Sequence, residues 1–407
     1  MVMVNAFRGL RYNPDKVDDF SDIVAPPYDV ISPEEQDKLY DKSLLNVVRL
    51  ELTKGDDDEK YIRASKTFRK WIEDGVIIQD SEPCIYPYYQ DFEDNGIKFT
   101  RKGFIASVRL EDPSSKKILP HERTFPKHKL DRLKLTTACS ANLSPVFAIY
   151  SDPEGSLQKL IEQKLPAKPI VDAIGTDGVK NILWRISDNA LIPEINTRML
   201  NRNLLIADGH HRYETALEYR DIQRKKFGTN SGNAPYEYVL MYLCRGEDDG
   251  LVIKPTHRVV KNLGNLEIRD FIKKLEERFE VKRITFDAVS KLGSREFAVF
   301  TGDSSSVFKV STKEPLPIAY NNLAVMLLHK LVFGEILREE EAQIFYTKST
   351  EEVVSLVNRG EYKLGFILPP LSALDIFEVS MASEKMPHKT TYFYPKLLSG
   401  LVFHLLD

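Results

Sequence analysis

The chain has 407 residues, 42% of them apolar, with 57 Lys and Arg against 60 Asp and Glu for a formal charge of −3. That length and apolar content supply cores for two or three domains, and so balanced a charge advertises neither nucleic acid nor an anionic membrane as the main partner. The three cysteines, Cys84, Cys139 and Cys244, are far apart, odd in number and in no metal-ligand spacing, which fits a reducing compartment and three buried or inert thiols.

In chain order, "MVMVNAFRGLRYNP" is too soon interrupted by Arg8 and Arg11 to serve as a signal peptide. "VAPPYDVISPEEQDKLY" predicts a Pro-rich loop and a helix with Ser32 as N-cap, Pro33 at N1 and Glu35 completing a capping box. "NVVRLEL" (46–52) predicts a strand from its alternation and β-branched content. "YIRASKTFRKWIEDG" predicts a helix with Ile62, Phe68, Trp71 and Ile72 buried and Gly75 at its C-terminus. "CIYPYYQDF" and "FTRKGFIASVRLE" predict a hairpin around "EDNG".

A polar loop, a helix and the buried strand "VFAIY" follow. "YEYVLMYLCR" and "GLVIKPTHRVV" predict a second hairpin across "GEDDG". Beyond 262, "NLEIRDFIKKLEERFEVKRI" predicts an amphipathic helix, and "REFAVFTG", "SVFKVST" and "YKLGFILPP" predict strands. "NNLAVMLLHKLVFGEIL" predicts an amphipathic helix; with His329 and Lys330 in its middle it is too short to span a bilayer. Ser349 caps a further helix that Gly360 ends. The expectation is a cytoplasmic α/β (mixed α+β) protein with an N-terminal region over 1–261 and a smaller α/β domain over 262–407.

The most unusual stretch is "NRNLLIADGHHRYETALEYR". Leu204 to Ala207 predict a short central strand, Asp208-Gly209 a tight turn, and Tyr213, Ala216 and Leu217 the apolar face of a helix. His210, His211 and Arg212 then fall in that helix's first turn. Its unpaired N–H groups and positive dipole end favour an anion, and arginine adds a bidentate donor suited to phosphate. Cations at that end are locally unfavourable unless a negative ligand, or Asp208, neutralises them. The structural alternative makes Asp208 an N-cap, Arg212 an ion-pair partner and the histidines packing residues. Adjacent histidines diverge by ~100° on a helix, which argues against one shared metal. Walker-type and G-x-G-x-x-G loops are absent.

"APPYDVIS", "NVVRLEL", "PHERTF…DRLKL", "ANLSPVFAIY", "IADGHHRYETAL", "PTHRVV" and "MPHKTTYFYPKLLSG" together resemble a family known only as a domain of unknown function, over nearly the whole chain. The DGHHR segment resembles the second motif of ParB-like nucleotide-binding proteins, a superfamily that includes ParB, sulfiredoxin and the archaeal free-serine kinases. The resemblance implies a ParB/sulfiredoxin-like nucleotide-binding core with an additional α/β domain. It further implies a kinase that phosphorylates free L-serine to O-phosphoserine with ATP (or ADP) and Mg²⁺. Carried over by position, phosphate contact falls on Gly209, His210, His211 and Arg212.

Phosphoryl transfer to a hydroxyl needs phosphate clamps and a carboxylate near the attacking oxygen. Glu122, in the loop "LPHERTF" with His121 and Arg123, is the first choice for that acceptor-side base, and Asp29 in "PPYDV" the second. Asp208 is a further choice, as base or as Mg²⁺ ligand. His121 and Arg258 are expected to join the nucleotide contacts, Thr256 and His257 to line the same cleft with Arg258, and Lys127, Lys129 and Arg132 to attract polyphosphate or to form a solvated face. "TTYFYPKLL" reads as aromatic core, with Lys396, near the end of the chain, as a further residue that could reach the site. Two other functions fit parts of the pattern: a ParB-like switch that binds and hydrolyses nucleotide, and a metal-dependent phosphoesterase. Neither a membrane nor, in the main, nucleic acid is expected as partner.

Overall fold

The computed structural model describes the chain except residues 1, 56, 123, 229–231, 303–306, 314–322, 338–342 and 383. Arg123 and the start of "NNLAVMLLHKLVFGEIL" therefore lie outside the described residues. The chain is a mixed α/β protein, as expected, and forms two compact units. The first comprises 1–120, 124–252 and 395–407; the second comprises 121–123 and 253–394. Set against the division expected at 262, the contacts place 253–261 with the second unit and return the last thirteen residues, 395–407, to the first.

The first unit is built on a nine-stranded sheet. Its strands are β1 (Val4–Asn5), β2 (Tyr86–Asp94), β3 (Ile97–Arg109), β4 (Ile118–Pro120), β5 (Val146–Tyr150), β6 (Val171–Ile174), β7 (Lys180–Leu183), β8 (Leu204–Asp208) and β9 (Tyr238–Arg245). They run in the order β4-β8-β5-β9-β3-β2-β7-β6, with β1 on β3. Its helices are α1 (Pro33–Lys42), α2 (Val48–Glu51), α3 (Glu59–Glu73), α4 (Pro126–Cys139), α5 (Ser156–Glu162), α6 (Leu191–Met199) and α7 (His210–Phe227).

β2 and β3 form the expected hairpin. Asp94 pairs with Ile97, and Asn95 and Gly96 between them take φ of 50° and 79°, the left-handed pair that a two-residue turn between twisted strands requires. One face of the sheet presents Phe104, Ala106, Val146, Ala148, Leu204, Ile206 and Met241 to a core closed by α6 and by Tyr213 and Ala216 of α7. β8 is buried, as expected, but lies next to the sheet's edge and not at its centre: Leu204, Leu205 and Ile206 are fully buried, and the strand pairs on both sides, with β4 and β5.

Local propensity misleads at "NVVRLEL", which is not a strand. Val48–Glu51 is a helical turn, because Asn46 ties the backbone down. Its Nδ2 donates to the carbonyls of Asp22 and Val24, and its Oδ1 accepts the Val48 N–H at 2.9 Å. Val47, Val48 and Leu50 are all buried, a set that a half-exposed strand would split between two faces. On α3, Phe68 and Trp71 are buried as expected, whereas Ile62 is 53% exposed and Tyr61, Ala64 and Ser65 take the inner face. Ser32 caps α1 through the Glu35 N–H, but the Glu35 carboxylate accepts from Thr176 instead of closing the box.

The second hairpin does not form. β9 pairs with β3 and β5, while β10 (Val252–Pro255) pairs with a strand near the C-terminus, Thr391–Tyr394.

The second unit is built on a six-stranded antiparallel sheet: β11 (His257–Val260), β12 (Phe279–Ile284), β13 (Glu296–Phe300), β14 (Val307–Thr312), β15 (Ile344–Thr347) and β16 (Leu364–Ile367), ordered β12-β14-β13-β16-β11-β15. The helix expected over the whole of "NLEIRDFIKKLEERFEVKRI" stops at Arg278, and β12 begins at once. Pairing of Phe279–Ile284 with Val307–Thr312 outweighs helical continuation there. Ser349 caps Thr350–Asn358 as expected. Ala324–Leu327 is α-helical and continues as a π-helix over Leu328–Leu337.

Candidate functional site

The end of β8 is bent. Ile206 pairs with Ala148 and Asp208 with Phe147, so Ala207 is an extra residue in the ladder, a bulge of the kind that re-aims the following side chain. Asp208 consequently shares the sheet face of Phe147. Gly209 follows at φ 87° and is the N-cap of α7, where no side chain caps the helix. A Cβ at Gly209 would stand 2.9 Å from the Arg212 Nε. Glycine is thus required both by the left-handed backbone and by the close approach of the guanidinium.

Arg212 turns back over this glycine. Its Nη2 donates to Asp208 Oδ2 at 2.7 Å and its Nη1 to the Pro145 carbonyl. Lys396 Nζ forms an ion pair with Asp208 Oδ1. Burial alone would raise the Asp208 pKa, but Lys396 and then Arg212 outweigh it and hold the carboxyl at about 2. This answers the conflict that the sequence posed: a carboxylate gripped by two cations neutralises the positive turn at the start of an 18-residue helix whose N-cap makes no side-chain hydrogen bond.

Lys396 is itself held from below. Gln90 Nε2 donates to the Lys396 carbonyl at 2.9 Å, and Arg101 Nη2 to the Pro395 carbonyl at 2.7 Å. Arg101 is fully buried, packs over Phe147 at 4.8 Å, and also donates to Gln90 Oε1. Proximity of Lys396 to DGHHR had only its basic side chain as a sequence signal; nothing in the spacing encodes it.

His210 is buried. His211 Nε2 accepts the Phe125 N–H at 2.9 Å, which requires the neutral ring with its proton on Nδ1. The Phe125 ring stacks on it and His128 meets it edge-on at 5.3 Å. Burial and then His128 lower the His211 pKa; Asp29 and Glu214 act against them. Asp29 is exposed in the turn Tyr28–Val30, and Glu214 accepts from Thr124 Oγ1 at 2.6 Å. Asp29, His211, Arg212, Asp208 and Lys396 thus belong to one charged neighbourhood of the first unit.

Arg132 is no solvated residue. It is 6% exposed, donates to Glu51 Oε2 at 3.1 Å and to Asp131 Oδ2 at 2.9 Å, and lies 3.9 Å from the Tyr28 ring centroid. Burial pushes the Tyr28 hydroxyl up to about 12. Glu51, absent from the expected set, sits in the segment misread as a strand. Lys129 pairs with Glu218 at 3.0 Å, and Lys127 is exposed.

His121, Glu122 and Arg258 are residues of the second unit. His121 is fully buried, with Nε2 2.9 Å from Thr391 Oγ1 and 3.8 Å from Glu122 Oε1. Arg258 is fully buried on β11, donating to the Thr256 and Lys389 carbonyls and stacking over Tyr346. His257 accepts the Leu368 N–H on Nδ1 and meets Thr350 through Nε2.

Among the described residues no three His, Cys, Asp or Glu side chains gather into a group that could hold a metal ion. Asp208, expected to ligate Mg²⁺, has both oxygens committed to cations, so its donor set does not fit a metal in this arrangement. The thiols of Cys84 and Cys139 are pushed up by burial to about 11 and about 12, and all three cysteines are free and buried. No helix among the described residues is long and apolar enough to cross a membrane.

The family model described as "Protein of unknown function (DUF1015)" matches residues 4–357. No curated protein matches. Among solved structures, SbnI with a C-terminal truncation from Staphylococcus aureus is 14% identical, covering 73% of this chain and 86% of its own, with a TM-score of 0.38. A free serine kinase in complex with AMP is 16% identical, covering 68% and 83%, at 0.35. A conserved hypothetical protein from Pyrococcus furiosus is 17% identical, covering 69% and 90%, also at 0.35.

Proposed function

We propose, for a chain that belongs to the family of unknown function DUF1015, that the start of α7 binds the phosphates of a nucleotide and that the protein is a small-molecule kinase. The observation that carries this is the uncapped N-terminus of α7 behind Gly209, with Arg212 and Lys396 held ready on one carboxylate. Helix amides and a positive dipole end receive phosphate oxygens; a guanidinium and an ammonium add the charge-assisted contacts that phosphoryl transfer uses for clamping.

Gly209 gives the backbone its approach, and His210, His211 and Arg212 supply the first-turn amides. Asp208 orients the two cations and, holding both, is poorly placed to take a proton. Of the two other expected carboxylates, Glu122 belongs to the second unit, and Asp29 is exposed in the first, where its charge acts on His211. A ParB-like core, ATP (or ADP) as donor and free L-serine as acceptor are supported by the resemblance of the DGHHR segment to the free-serine kinases.

The test is direct. The purified chain is incubated with ATP, Mg²⁺ and a pool of small hydroxyl compounds including L-serine, and ³¹P NMR identifies the phosphorylated product. O-phosphoserine formed together with ADP is the expected result. Slow ATP hydrolysis indifferent to every acceptor would leave a nucleotide switch in its place.

A further inference from the structure

Between α2, α4, α7 and β5 the first unit holds a cavity of about 30 Å³, and Arg212 forms part of its wall. That is room for about two water-sized groups. Val146 and Val239 give it apolar sides; Ser144, Thr136 and Glu51 give it polar ones. Glu51 is 3% exposed, and while its Oε2 takes the Arg132 Nη1, its Oε1 has no hydrogen-bond partner among the described residues. A buried carboxylate oxygen left without a donor is costly, on the order of 1–3 kcal/mol or more. Such an atom in a native structure marks a place where a donor belongs.

We infer that this cavity is the acceptor subsite of the kinase, taking the hydroxymethyl group of a small primary alcohol whose O–H donates to Glu51 Oε1. The inference rests on the nucleotide reading of the α7 N-terminus, because Arg212 is what joins the cavity to the phosphates. In the transfer step the acceptor oxygen bonds to the γ-phosphorus. The bridging β–γ P–O bond breaks with its electron pair on ADP, and the hydroxyl proton passes to Glu51 Oε1 and then to solvent.

Neighbouring groups allow Glu51 this role. When it is protonated, Arg132 keeps Asp131 as a partner, so the buried guanidinium is not stranded. Asp208, by contrast, has no uncommitted oxygen, and Asp29 is exposed. The small volume also selects: a CH₂–OH group fits about two water-sized places, and a methyl-branched secondary alcohol exceeds them.

Calorimetry on the full chain decides the matter, first with ADP alone and then by titrating the ADP-saturated protein with L-serine, ethanolamine and L-threonine. Wild type is expected to bind the two primary alcohols and to bind L-threonine at least about tenfold more weakly. Glu51→Gln should weaken L-serine about tenfold, as loss of a charge-assisted hydrogen bond does, with ADP affinity unchanged. Thr136→Leu, which fills the cavity and keeps Glu51, should abolish L-serine binding, and it carries the test if Glu51→Gln does not fold. Equal L-serine affinity in wild type and the variants, or no alcohol bound by the ADP-loaded wild type, overturns the assignment. Failure to bind ADP at all removes the nucleotide reading instead, and the L-serine titration without nucleotide then decides the cavity.

Discussion

Lys396 closes an ion pair on Asp208 across 188 residues of sequence, so one carboxylate holds both that lysine and the Arg212 guanidinium beside the start of α7. Lys396→Ala therefore removes one of the two cations and leaves Asp208 with Arg212 alone. We expect ADP affinity to fall about tenfold and stability by about 1–2 kcal/mol, the partial burial of both side chains placing the pair between exposed and buried ion pairs. Calorimetric titration with ADP and urea denaturation give the two readouts. Unchanged ADP affinity would detach Lys396 from the anion site.

Arg212 makes two contacts in different directions, to Asp208 and to the Pro145 carbonyl, which a lysine ammonium does not reproduce with one fork. Arg212→Lys should cost about tenfold in ADP affinity and Arg212→Ala about 100-fold. An Arg212→Ala chain that folds and binds ADP as wild type does would place the phosphates elsewhere.

At Gly209 the added Cβ meets both a left-handed backbone and the Arg212 guanidinium. Gly209→Ala is expected to destabilise by about 1–2 kcal/mol from backbone strain and to lose nucleotide affinity because Arg212 must move. Thermal unfolding with and without ADP separates the two effects: the variant should melt lower and gain less from ADP than wild type.

Acid should weaken the first unit in two separate windows. His404 is 7% exposed, and burial lowers its pKa to about 4 from 6.5. Its unfolded form binds the proton first, so the stability it contributes is present above pH 6.5 and is lost as pH falls towards 4, about 3 kcal/mol in all. Asp208, held at about 2 against 3.8, contributes stability above 3.8 that is lost only between about 3.8 and 2, roughly 2 kcal/mol. His404 packs edge-on to Phe7, so His404→Phe should keep that packing. Urea midpoints measured from pH 7 to pH 4 should fall less steeply in His404→Phe than in wild type; parallel slopes would remove the histidine from this account.

Much of the local structure was written in the chain. Asn95-Gly96 dictates a two-residue turn with positive φ at both positions, and the hairpin follows. The run Leu204–Ala207, broken by Asp208-Gly209 and followed by Tyr213 and Ala216 at helical spacing, set out a buried strand entering a helix, with two histidines and an arginine in its first turn. Ser32, Ser349 and Gly360 punctuated helices where they stood.

What joins these pieces was settled by tertiary contact. "NVVRLEL" carries the alternation of a strand and forms a helical turn, because the Asn46 amide finds carbonyls more than twenty residues upstream. That turn delivers Glu51 to Arg132, and the Arg101–Gln90 pair presents Lys396 to Asp208. Side-chain periodicity reports which face of an element is apolar, a property of a few neighbouring residues. Which buried charge meets which depends on strand order and on the desolvation that makes unpaired charges expensive, and those arise only when distant segments pack together.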